Sequence, residues 1–131
     1  MTIEAGTEVF HELELDFAKV TTGFAKKVEQ ATGRGAFNIK KDWKAAWSGH
    51  PHIPALPRAV TYDLTGKAAE AFAEIGPDKD RPQGPLGNII EFGDGDNAPI
   101  PGGAPALAAE EPRYVNALAD LAEEAISDRM G

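Results

Sequence analysis

A chain of 131 residues, 42% hydrophobic and 26% charged, has the size and composition of one ordinary domain with a single modest core. Its formal charge of −8, from 13 Lys and Arg against 21 Asp and Glu, argues against nucleic acid or an anionic membrane as a partner, and the lack of cysteine excludes disulfides and thiolate metal sites. The first fifteen residues carry four Glu and no Lys or Arg, the reverse of a secretory leader, and no apolar run approaches a membrane span, so synthesis in a cytoplasm without membrane insertion is expected.

Near the N-terminus, Leu13, Leu15 and Phe17 alternate with acidic residues as in a strand, while Phe10, Leu13 and Phe17 also fit a helix, and the two readings stay open. From Phe17 the apolar residues Val20, Phe24, Val28, Ala31, Gly35, Ile39, Trp43, Ala46 and Trp47 recur in steps of three and four, which predicts an amphipathic helix over 17–47. Gly33 and Gly35 each weaken a helix by up to about 1 kcal/mol, but the stripe passes through them in phase, so one long helix, bent there, is expected. Gly49 suits the position just past its end, and Pro51, Pro54 and Pro57 forbid continuation, which stops the helix by Ser48.

Beyond the prolines, Val60, Tyr62 and Leu64 alternate with polar residues, Thr65-Gly66 offers a turn, and Ala69, Ala71, Ala73 and Ile75 alternate with Glu70, Phe72 and Glu74, predicting a β-hairpin. The loop GPDKDRPQGP, the short apolar segment LGNIIEF and the irregular stretch GDGDNAPIPGGAP (93–105) follow. Pro105 and Pro112 can each open a helix, on which Tyr114, Val115, Leu118, Leu121, Ala122, Ala125 and Ile126 form a second apolar stripe. The expected fold class is α+β, in one domain over 1–131: a long N-terminal amphipathic helix, a small antiparallel β-sheet built as a hairpin, a C-terminal helix and long Pro/Gly loops.

Catalytic constellations are sparse. Serine occurs only at Ser48 and Ser127, outside any G-x-S-x-G. His50 and His52 flank Pro51 and could share a metal only with a third ligand such as His11 or Glu91, so a plain loop is the expected reading. Asp94-Gly95-Asp96-Asn97 begins like a calcium loop but continues into Ala98 and Pro99. The glycines between 84 and 103 lack the lysine of a phosphate cradle. No enzyme, cofactor or metal is expected.

Two features favour binding. Residues 1–50 hold seven cationic and seven acidic residues, so the whole negative charge resides in 51–131. On the predicted helix, Lys19, Lys26, Lys27, Arg34, Lys40, Lys41 and Lys44 occupy the side opposite the apolar stripe, an arrangement suited to contact between copies. The Pro/Gly loops would serve as docking arms, with 93–105 ordered only on assembly. The expected interface residues are Lys26, Lys27, Arg34, Lys41 and Lys44, the loop residues Asp94, Asp96 and Asn97, and Trp47, placed at the rim of the stripe and partly exposed, while Trp43 packs on the sheet.

The stretch AEIGPDKDRPQGPLGNIIEFG (73–93), followed by NAP and PALAAEEPRYVNALADLAEEAI, resembles the neck or tail-completion family of long-tailed double-stranded DNA phages. It most resembles the version in phages of actinobacteria, described as a head-to-tail connector or minor tail component. The resemblance runs from the Lys-rich helix through HPHIPALPRAVTYDL to the C-terminal helix, and its most specific parts are Gly76-Pro77 closing a strand and Glu91-Phe92-Gly93 ending an apolar segment. Many members carry Pro, Thr-Gly and Leu before the first strand, where this chain reads IPALPRAV without Thr-Gly, as the actinobacterial variant does. The resemblance implies a non-enzymatic virion protein, assembled in the host cytoplasm. It implies a homo-oligomeric ring, six copies by the symmetry of siphovirus tails, that completes the tail at its head-proximal end. The implied partners are other neck and tail proteins such as the stopper or connector and the tail terminator, with DNA passing through the channel without specific binding. A tail-assembly chaperone absent from the mature virion, and a small metal-dependent enzyme using His50, His52 and acidic residues near Asp94, are the alternatives.

Overall fold

The computed structural model describes residues 2–5, 21–67 and 70–130. The elements are strand β1 (Thr2–Ala5), helix α1 (Thr21–Trp47), a single turn α2 (Leu56–Ala59), strands β2 (Val60–Lys67) and β3 (Glu70–Pro77), a 3₁₀ turn at Gly84–Leu86 leading into α3 (Gly87–Phe92), and helix α4 (Gly103–Met130). The α+β class is as expected. The ambiguous segment 10–17 and the expected helix start at Phe17 lie outside the described residues.

Helix α1 is continuous for 27 residues through both glycines. It ends as its sequence indicates: the Ser48 hydroxyl donates to the Lys44 carbonyl at 2.6 Å and Gly49 adopts φ +84°. The prolines that follow do not form an open loop. Ile53 and Leu56 are buried, and the side-chain oxygen of Gln83 accepts the backbone N–H groups of Ala55 and Leu56 at 2.7 and 3.1 Å.

The sheet has the order β1-β3-β2, both pairings antiparallel. Along β3, Ala71, Ala73 and Ile75 are buried against α1, and Glu70, Phe72 and Glu74 are exposed on the other face. Alanine has good helix propensity, yet small side chains at these positions let α1 approach the sheet closely, and tertiary packing overrides the local preference. The hairpin differs from expectation in its turn. Thr65 and Gly66 are strand residues paired with Phe72 and Ala71, and the connection falls between Lys67 and Glu70. The ladder with β3 carries the strand past both residues, and the flexible Glu29 side chain of α1 lies over Gly66, where a Cβ would come within 2.4 Å of its carboxylate oxygen. The third strand, β1, was not anticipated.

Helix α4 runs antiparallel along α1, the two joined by Lys27–Glu124, Thr32–Tyr114 and Asn38–Glu110 contacts. It starts at Gly103, inside the stretch expected to be irregular, and Pro112 lies within it rather than opening it. Pro112 cannot donate to the Ala108 carbonyl, but both residues are exposed, so solvent can satisfy that carbonyl. Helix α1 is therefore the middle layer: Phe24, Val28, Ala36, Ile39, Trp43 and Trp47 bury against Ala73 and Ile75 on one flank and Ala106, Tyr114, Leu118 and Ala125 on the other.

Candidate interaction surfaces

Beneath α1's exposed side, a ladder of polar pairs locks the two long helices. The Thr32 hydroxyl donates to the Val28 carbonyl at 2.9 Å and so receives the Tyr114 hydroxyl, 2.6 Å away. Burial pushes the Tyr114 phenol upward from its ordinary range, while the hydrogen bond with Thr32 pulls the other way. Buried Glu110 accepts from the Asn38 amide at 3.2 Å and from Arg113 at 3.2 Å, which leaves its charge compensated.

At the start of α4 a second cluster forms. The buried carboxylate of Glu91, on α3, accepts the N–H groups of Gly102 and Gly103 at 2.9 and 3.0 Å and so caps the helix. The Trp43 indole packs on Gly102 and Gly103, where a Cβ on the latter would lie 2.6 Å from the ring. Glu91 is thereby committed to the backbone. Among the described residues no group of three potential metal ligands occurs, and His11 lies outside them.

Trp47 corrects an expectation. It is fully buried, stacks edge-on to Trp43 with ring centroids 5.5 Å apart, and donates its indole N–H to the Ile100 carbonyl at 2.8 Å. The loop after α3 covers it, an approach that helical phase alone does not reveal. That loop is anchored as well by Ile100 N–H to Ile90 O at 2.7 Å. Asp94, Asp96 and Asn97 form its exposed tip, where one Asp94 oxygen accepts from the Asp96 and Asn97 backbone and the Asn97 amide at 2.8–3.0 Å. The Asp96 N–H and then the Asn97 amide hold the Asp94 carboxyl below its ordinary value. The stretch 93–105, expected to be irregular and free, is thus held at its tip by the Asp94 turn and at its end by Ile100.

The expected basic residues divide into two groups. Lys27 is tied to Glu124 of α4, and Lys40, 5.6 Å above the Tyr62 ring, is held by a cation–π contact. Lys26, Arg34 and Lys41 are exposed and have no ion-pair partner among the described residues, and Lys44 is half-buried. Slight burial first, and then the charges of Lys40 and Arg81, hold the Lys44 ammonium below its usual range, so Arg81 adds to the same positive field.

Among these cations stands a residue not anticipated. Phe37 is 51% exposed on the outward side of α1, with Arg34 and Lys41 three and four residues away. A phenylalanine far from the apolar stripe was the available signal. The open face of the sheet has the opposite character: Phe72, 37% exposed, lies between Glu70 and Glu74, with Asp63 opposite Glu74 in register and Lys67 opposite Glu70 at the hairpin end. Beside it, the 78–88 segment walls an open groove of about 690 Å³ whose lining includes the acids Asp63, Glu74, Asp78 and Asp80 and the cations Lys79 and Arg81. A third exposed apolar ridge runs along Leu86, Ile89 and Phe92. Among the described residues no helix is long and apolar enough to cross a membrane. No family model, curated protein or solved structure matches the chain.

Proposed function

We propose that this chain is a non-enzymatic structural subunit of the head-to-tail connection of a long-tailed phage, arrayed as a ring that completes the tail at its head-proximal end and leaves a channel for DNA. The observation that carries the reading is the pair of unlike exposed faces, a cationic helix side around Phe37 and an acidic sheet face around Phe72, which suits repeated contact between identical neighbours. The phage-neck resemblance of residues 73–93 supplies the setting. Stopper and terminator proteins are the partners this setting implies, and a surplus of acidic residues on the molecule as a whole suits a channel past which DNA must slide without phosphate contacts.

The test is quantitative mass spectrometry of purified phage particles whose genome encodes the chain. Stoichiometric presence supports the reading. Presence in infected-cell assembly intermediates together with absence from particles would replace it with a tail-assembly chaperone. Reversing two exposed cations, Lys26→Glu with Lys41→Glu, should reduce incorporation into particles while changing the monomer's stability by no more than about 1 kcal/mol, since exposed charges contribute little to folding. Incorporation at the level of the unaltered chain would contradict a role for this face.

A further inference from the structure

We propose that copies of this chain join head to tail, with the Phe37 stripe of α1 from one copy seated on the open, acidic sheet face around Phe72 of the next. This deepens the ring reading and rests on it, by naming the two surfaces through which neighbours touch.

A sheet has two faces, and one of these is covered by the chain's own α1 while the other carries a half-exposed phenylalanine with no helix over it among the described residues. Covering the second face with a neighbour's α1 repeats on the outside the helix-on-sheet packing that the fold already uses on the inside. Charge decides which helix side can fill that place. Glu70, Glu74 and Asp63 surround Phe72, while the adjoining groove is mixed in charge, with Asp78 and Asp80 beside Lys79 and Arg81. The outward side of α1 offers Arg34 and Lys41 around Phe37, with Lys44 a turn further on. The outward side of α4 carries Glu111, Asp120 and Glu123 and would be repelled. Two aromatic rings would meet at the centre, with the ion pairs at the rim, where they set register more than affinity.

The stripe and the sheet face belong to different layers, so one copy can offer both at once. Such an interface is heterologous and propagates from copy to copy until the rotation closes a ring.

The absence of cysteine makes the pairing directly readable. Gln30 and Thr65 are exposed, the first on the Phe37 side of α1 and the second opposite Phe72 in register. A chain carrying Gln30→Cys and Thr65→Cys, treated with a short bismaleimide, should give a ladder of dimers, trimers and larger species. A mixture of the two single variants should give a dimer containing one of each, and no larger species beyond what either variant forms alone. Adding Glu70→Lys and Glu74→Lys to the double-cysteine chain should reduce the ladder on the order of tenfold, and adding Arg34→Glu and Lys41→Glu as well should restore it. Circular dichroism melts of each variant verify that it folds. A missing ladder, or one indifferent to the charge exchanges, would overturn the assignment of these surfaces and leave the ring reading to the particle analysis. A charge-sensitive ladder from a chain absent from particles would instead retain the surfaces and overturn the phage-neck reading.

Discussion

Trp47 shows how one hydrogen bond can distinguish two neighbouring indoles. It is fully buried and its N–H reaches the Ile100 carbonyl at 2.8 Å, while the indole N–H of Trp43 has no acceptor among the described residues. Trp47→Ala should therefore cost about 3–5 kcal/mol in urea unfolding, as a core truncation does. Trp47→Phe keeps most of the packing and should still cost about 1–3 kcal/mol, because the Ile100 carbonyl loses its donor. Trp43→Phe should be the milder of the two, and the reverse order would show that the loop contact contributes nothing. Tyr114 gives the residue scale a pH signature. Its folded phenol ionises at higher pH than in the unfolded chain, so stability is complete below about pH 10, the unfolded value, and falls as pH rises through the folded value. Urea midpoints measured from pH 9 to 12 should decline, and Tyr114→Phe should remove that part of the decline.

Among the elements, two glycines at tight contacts should respond in opposite ways to the same substitution. A Cβ at Gly103 meets the Trp43 ring, held rigidly between α1 and the start of α4, so Gly103→Ala should destabilise by about 1–3 kcal/mol. A Cβ at Gly66 meets the end of an exposed, flexible Glu29 side chain, which can swing away, so thermal melts of Gly66→Ala should show a far smaller change. Long elements were legible in the sequence for a physical reason. The 3–4 spacing of Val28, Ile39 and Trp43 and the alternation of Ala71, Ala73 and Ile75 are direct traces of burial. What escaped depends on partners distant in the chain. Thr65-Gly66 reads as a turn until its pairing with Phe72 and Ala71 is known, Trp47 reads as a rim residue until Ile100 arrives, and Pro112 reads as a helix start until its exposure is known. A four-residue strand such as β1 has too little pattern to register. Of the expected interface residues, Lys26, Arg34 and Lys41 are exposed and have no ion-pair partner among the described residues, while Lys27 is taken up by Glu124, and Phe37 was invisible to a search for apolar stripes.

At the scale of the molecule, α1 is covered on both flanks, by the sheet and by α4, which makes it the element on which the rest depends. The bonds that close its second flank span 72 to 97 positions of sequence, whereas the β2–β3 hairpin closes over a few. Loop closure then sets an order of events, with the hairpin forming early and α4 docking late. During synthesis α1 leaves the ribosome well before α4, and until α4 follows, Trp43, Val28 and the Thr32 hydroxyl lack part of the surface that covers them. A nascent chain halted near residue 100 would present that uncovered flank as a sticky intermediate. Arrested chains of that length should engage a hydrophobic dye and co-purify with chaperones, and chains extended through Ala125 should lose both signals together. The long separation between the two helices is thus also a waiting time, during which the cell must keep the unfinished protein from meeting another copy by the wrong face.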